Sequence, residues 1–206
     1  MRTFSNPVWE IRYSIPSRGM TDFSFLPVKS WNIWINFEIL SGDNDDLEIP
    51  LVDIHSLHFS LLELFGKKGV RSLQLRIGME MCRIGIERRS GIVRALKGGS
   101  RLLAESQQLQ IALEKYTEQA EERQPASGGA PRFLLHESEQ WFELTDRDYH
   151  MGQGLQSEWP VCNDIVGVLS YLLEWVTGHS HEVEEIECRA MGYPADVFRI
   201  HKEQRN

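Results

Sequence analysis

The residues best able to do chemistry gather toward the carboxy end of the chain. Cys162 ends the run Trp159-Pro160-Val161-Cys162. Further on stand Glu185-x-x-Cys188-x-Ala190-x-Gly192 and Asp196-x-Phe198. With Cys82 there are three cysteines, an odd number. In a chain read as leaderless, this points to a reducing compartment, with thiols that are buried or bound to metal rather than paired as disulfides. His179-x-His181 falls at a helix-to-strand turn, and His55 and His58 lie three apart on a helix. Imidazole pairs of this kind can take a metal, but isolated ones are more often surface decoration. There is no Gly-rich phosphate loop, G-x-S-x-G elbow, C-x-x-C or H-E-x-x-H, and nothing specific marks a Ser–His–Asp triad.

The carboxy-terminal motifs, read in register with the helix between them, resemble the 4-vinyl reductase domain family. The resemblance is good from about Leu134 to Ile200, weaker from about Ile54 to Glu122, and does not reach the first 45 residues. It implies an α+β ligand-binding fold shared with vesicle-tethering subunits, and a zinc site. Carried over residue by residue, the zinc ligands are Cys162, Glu185, Cys188 and Asp196. The last departs from the family, which has cysteine there. Zinc accepts two thiolates and two carboxylates, although oxygen ligands weaken the preference for a soft-ligand metal. An ideal strand would aim Glu185 and Cys188 at opposite faces, so a bulge or a strand end must bring them together. The alternative is a lost site, with Cys188 as core and Asp196 as a turn residue. The resemblance also implies that Trp141 contacts a ligand. The phenol-sensing members use a histidine from the preceding helix, which this chain lacks, so phenol is a poor expectation.

These side chains need elements to position them. The helical pattern from Asp53 to Arg89 breaks around Gly66 and Gly69. Before the break the apolar face is Ile54, Leu57, Leu61, Leu62 and Phe65. After it come two stripes, Val70/Leu73/Ile77/Met81/Ile84 and Leu75/Met79/Cys82/Ile86, predicting burial on two sides. Gly78 and Gly85 allow close approach of a neighbouring helix or a ligand. Met79 and Met81 are adaptable fillers, more commonly of a core, and the same features suit a pliable ligand groove. A further helix is expected over about 100–122, with an apolar line Leu102, Leu109, Leu113 and Tyr116. A polar Gly/Pro loop follows at 123–131. Strands are expected at 132–137, 140–145, 182–190 and 197–201, with a helix at 161–176. The expected class is α+β, an antiparallel sheet packed against several helices. We divide it as an aromatic-rich extension at 1–46 and a domain at 47–206, with a helical half at 53–122 and a strand-rich half at 132–206.

At 206 residues with 41% hydrophobic side chains, the chain can build a core without disulfides. A net charge of −8 and scattered basic residues, densest at Arg83, Arg88, Arg89 and Arg94, argue against nucleic acid as a partner. No apolar run spans a bilayer, and the amino terminus lacks a signal-peptide pattern, so a cytoplasmic location is expected. The first expectation for function is binding of a small hydrophobic molecule, tetrapyrrole-like, in photosynthetic pigment metabolism or photosystem assembly. The second is a reductase or reductase accessory subunit for a chlorophyll-precursor vinyl group, although no nicotinamide or flavin motif supports catalysis. The third is a ligand-responsive regulatory or scaffold protein. The resemblance implies a homodimer or heterodimer through the helical half, and the aromatic amino-terminal arm is a candidate partner-docking segment.

Overall fold

The computed structural model describes residues 32–34, 48–88, 102–123, 131–149 and 151–205. The aromatic arm, apart from 32–34, and residues 124–130 of the polar loop lie outside them. Strands β1 (Asn32–Trp34) and β2 (Glu48–Pro50) pair antiparallel. Helix α1 (Leu51–Arg88) follows directly and breaks at Gly66, whose φ of 65° and ψ of 174° leave the helical region. A side chain would be strained at that φ, and the sequence expected the break at this position. Helix α2 (Glu105–Arg123), strands β3 (Phe133–Glu137) and β4 (Trp141–Asp146), helix α3 (Asn163–Thr177), and strands β5 (His181–Glu187) and β6 (Asp196–Gln204) complete the order.

The four longer strands form one antiparallel sheet in the order β3-β4-β6-β5. The class is α+β, as expected. Alternation along β4 turns Phe142, Leu144 and Asp146 inward, and their ladder partners Ile200, Phe198 and Asp196 share that face. Helices α2 and α3 cover it with Leu109, Leu113, Val166, Leu169 and Leu173, all buried. Each such side chain contributes roughly 1.5–3 kcal/mol of burial.

Helix α1 lies across α3 at a crossing made of glycine. A Cβ on Gly78 would sit 1.9 Å from the carbonyl oxygen of Asp164, and one on Gly167 would sit 2.2 Å from that of Leu75. Backbone therefore meets backbone, the close approach that Gly78 suggested.

Three expectations change. The stripes on α1 are not buried on two sides: the buried ridge is Val70, Gln74 and Gly78, while Leu57, Leu64, Phe65, Leu73 and Ile77 stay exposed. Leu102 is 94% exposed because α2 starts later, at Glu105. There Ala104 N–H donates to Gln107 Oε1 (3.2 Å) and the helix is capped from within. The strand expected to run to Ala190 ends at Glu187, where its ladder slips.

Candidate metal centre

Cys162 is the last residue before α3 and is fully buried. On β5, His181, Val183 and Glu185 share a parity, and Glu185 pairs with Phe198 of β6. The next pair is Glu187 with Val197, so β5 holds one residue more than its partner there. This bulge and the strand end beyond it answer the geometric demand of the sequence, because they let Cys188 follow Glu185 to the same side. A short helical turn, Arg189–Met191, then leads to Asp196, the first residue of β6.

The donor atoms of Cys162, Glu185, Cys188 and Asp196 all lie within 4.8 Å of one another, and this cluster could hold a metal ion. Each carboxylate is half satisfied. Glu185 Oε2 accepts from Cys162 N–H at 2.8 Å, and Asp196 Oδ1 accepts from Arg189 N–H at 2.8 Å. Glu185 Oε1 and Asp196 Oδ2 are buried without a hydrogen-bond partner. Two such oxygens converging on two thiols are costly unless protons or a cation take them.

The electrostatics point the same way. Burial pushes the Glu185 carboxyl up to about 9 and the Asp196 carboxyl up to about 7, and raises the Cys162 thiol. The hydrogen bond from Cys162 lowers Cys188 to about 5. Four acidic groups cannot all ionise together here, and a dication would invert that balance. The donor set fits a metal ion.

Behind Asp196 lies a buried ion pair. Asp146 is its ladder neighbour and receives Arg132 through two bonds of 2.8 Å, Nε to Oδ1 and Nη2 to Oδ2. Both side chains are almost fully buried. Arg132→Ala would strand the Asp146 carboxylate beside Asp196. We expect it to cost about 3–5 kcal/mol in urea unfolding. A loss under about 1 kcal/mol would mean the pair is solvated in solution.

The ligand residues read from the sequence do not gather here. Trp141 lies on the outer face of the sheet, where Arg199 stacks over its ring at 4.8 Å and bonds Glu143 at 2.9 Å. The alternation of Trp141, Glu143 and Thr145 with Phe142, Leu144 and Asp146 was the available signal. Met79 is half-buried and borders a cavity of about 370 Å³ near the start of β5. Met81 is half-buried and does not line it.

A larger cavity of about 680 Å³ was not anticipated. His58, Phe59, Leu62, Leu155, Trp159 and Met191 line it. His58 is held from behind: Asn163 Nδ2 donates to Gln74 Oε1 (3.1 Å), and Gln74 Nε2 lies 3.2 Å from His58 Nδ1. That nitrogen accepts, so the His58 proton belongs on Nε2. Burial lowers the His58 pKa, favouring the neutral ring.

These features define an α+β domain with a buried two-cysteine, two-carboxylate cluster. No family model matches the chain, and no curated protein matches it. Among solved structures it is similar to the phenol-responsive sensory domain of the transcription activator PoxR with phenol. That likeness has a TM-score of 0.48 and 15% identity, over 76% of this chain and 77% of that one. It is also similar to a trafficking protein particle complex subunit 3 from Naegleria fowleri covalently bound to palmitic acid. There the TM-score is 0.44 and the identity 15%, over 76% of this chain and 95% of that one. Among the described residues no helix is long and apolar enough to cross a membrane.

Proposed function

We propose that the chain is a zinc-stabilised binding module for a small apolar molecule. The observation that carries the zinc reading is the pair of buried, unpartnered oxygens, Glu185 Oε1 and Asp196 Oδ2, beside Cys162 and Cys188. Four protein ligands leave a tetrahedral ion no open position, so its role is to cross-link α3 to β5 and β6 rather than to activate water. The ligand reading rests on the 680 Å³ cavity, which falls in the usual range of small-molecule sites. Its lining sets Phe59, Leu62, Leu155, Trp159 and Met191 beside Gln156, Ser157, Glu158 and the oriented His58 imidazole, which suits a mostly apolar molecule with a polar group. A tetrapyrrole acting in pigment metabolism is the narrower form of this proposal and rests on the sequence resemblance. The apolar residues left exposed along α1, among them Leu57, Leu64, Leu73 and Ile77, favour pairing with a second chain through the helical half.

One sample tests all of this. Protein purified under reducing conditions without added ligand is analysed for zinc, visible absorption and mass by light scattering. We expect about one tightly held zinc per chain, lost in Cys162→Ser, and a dimer mass. Pigment absorbance would establish the tetrapyrrole form, and a colourless protein would remove it. Well-folded protein without zinc would overturn the metal centre.

A further inference from the structure

We propose that Glu105, His179 and His181 form a second site for a divalent transition-metal ion, separate from the cysteine centre, fastening the start of α2 to the start of β5.

The His181 ring is buried, and its Nδ1 lies 3.1 Å from the backbone carbonyl oxygen of His201. A carbonyl only accepts, so Nδ1 carries a proton, and in the neutral ring Nε2 presents a lone pair. A histidine held in this way by a backbone carbonyl is oriented as metal-ligating histidines are. Nε2 faces Glu105 Oε1 at 3.3 Å, so in the neutral ring two acceptors confront each other. Thr177 Oγ1, at 3.4 Å, is the other polar neighbour, but its one proton is sought by the carbonyls of Leu173 (2.9 Å) and His179 (3.0 Å). A metal ion between Nε2 and Oε1 resolves the conflict, in competition with a second ring proton that would make an imidazolium–carboxylate pair.

The spacing suits a metal. Nitrogen and oxygen ligands about 2.1 Å from one tetrahedral ion stand about 3.4 Å apart, close to the 3.3 Å observed. His179 Nδ1 approaches the same Glu105 oxygen at 2.9 Å. Its side chain is 53% exposed, against 0% for His181, so His181 is the fixed arm and His179 the arm that swings in to close the site. Gln204 Nε2 lies 2.9 Å from Glu105 Oε2 and 3.1 Å from His179 Nδ1. Turned over, that amide would offer its oxygen to the same ion. His181 also borders the cavity of about 370 Å³, beside Ser180, Glu174 and Arg205. Among the described residues the cysteine cluster alone has three or more donors already converged. Here closure needs the turn of His179.

The test loads the cysteine centre of the full chain with zinc and then titrates Co²⁺, followed by calorimetry and absorption. We expect about one further equivalent, giving ligand-field bands without thiolate-to-cobalt charge transfer. His179→Ala and Glu105→Gln should each weaken it by about 10-fold or more, with circular dichroism unchanged. No further equivalent, or one that neither substitution weakens, overturns the inference. In a separate titration of metal-free protein, thiolate-to-cobalt charge transfer that is lost in Cys162→Ser reports on the cysteine centre alone, so the two sites stand or fall separately.

Discussion

Stripping the metal with a chelator under reducing conditions is expected to lower the thermal midpoint by roughly 10 °C or more, and Cys162→Ser should do the same. The size of the effect follows from what the cluster joins. Cys162 precedes α3, Glu185 lies on β5, Cys188 follows the bulge, and Asp196 opens β6. Without an ion, the carboxyls of Glu185 and Asp196 must hold protons or repel the Cys188 sulfur, and each keeps one buried oxygen without a partner. Those costs fall on the folded state alone, because water solvates the same groups once the chain unfolds. Metal binding should release protons, seen in calorimetry as an apparent enthalpy that changes with the buffer. Cys82→Ser, by contrast, should keep its zinc, since Cys82 sits on α1 outside the cluster. A midpoint indifferent to the chelator would show that the four residues hold nothing.

Gly78→Val should be at least as damaging, with a loss of about 5 kcal/mol or failure to fold. Overpacked cores usually recover part of the cost by shifting side chains. Here the obstacle is the Asp164 carbonyl, 1.9 Å from the new Cβ, and backbone has no rotamer to change. The helices would have to part, opening the contact that Gly167 makes with the Leu75 carbonyl from the other side. Alanine is enough to test the point, since the clash is at Cβ. Gly154→Ala is the control: nothing lies within 4 Å, and its φ of 75° exacts only a conformational cost of about 1 kcal/mol. Equal urea midpoints for Gly78→Ala and Gly154→Ala would show that the crossing is looser than its geometry.

Local periodicity made much of this architecture legible. The break at Gly66, the close approach at Gly78, the strand pairs and the helix before β5 were all readable because each is encoded within a few residues. The cluster was legible through motif register, and the spacing of Glu185 and Cys188 required a bulge or a strand end, both of which lie there in β5. What escaped was longer in range. Nothing local distinguishes an apolar stripe that faces a core from one that faces outward, so Leu57, Phe65 and Leu73 read as interior. Arg132 and Asp146 are fourteen residues apart, and no local pattern pairs them before the hairpin joins them. His58, Gln74 and Asn163 form a polar relay across α1 and α3 that no single segment reveals. Trp141 was placed by resemblance, and the alternation of its own strand sets it on the face opposite Phe142, Leu144 and Asp146.

The bulge in β5 has a bearing on solubility. In the order β3-β4-β6-β5 that strand is an edge of the sheet, and an open edge is a template on which further chains can add. Four of its seven residues are glutamate, at positions 182, 184, 185 and 187, and the extra residue spoils the straight ladder an incoming strand would need. The irregularity that seats the cluster therefore also discourages fibrillar stacking, so a change that straightened β5 would expose the protein to self-templated aggregation.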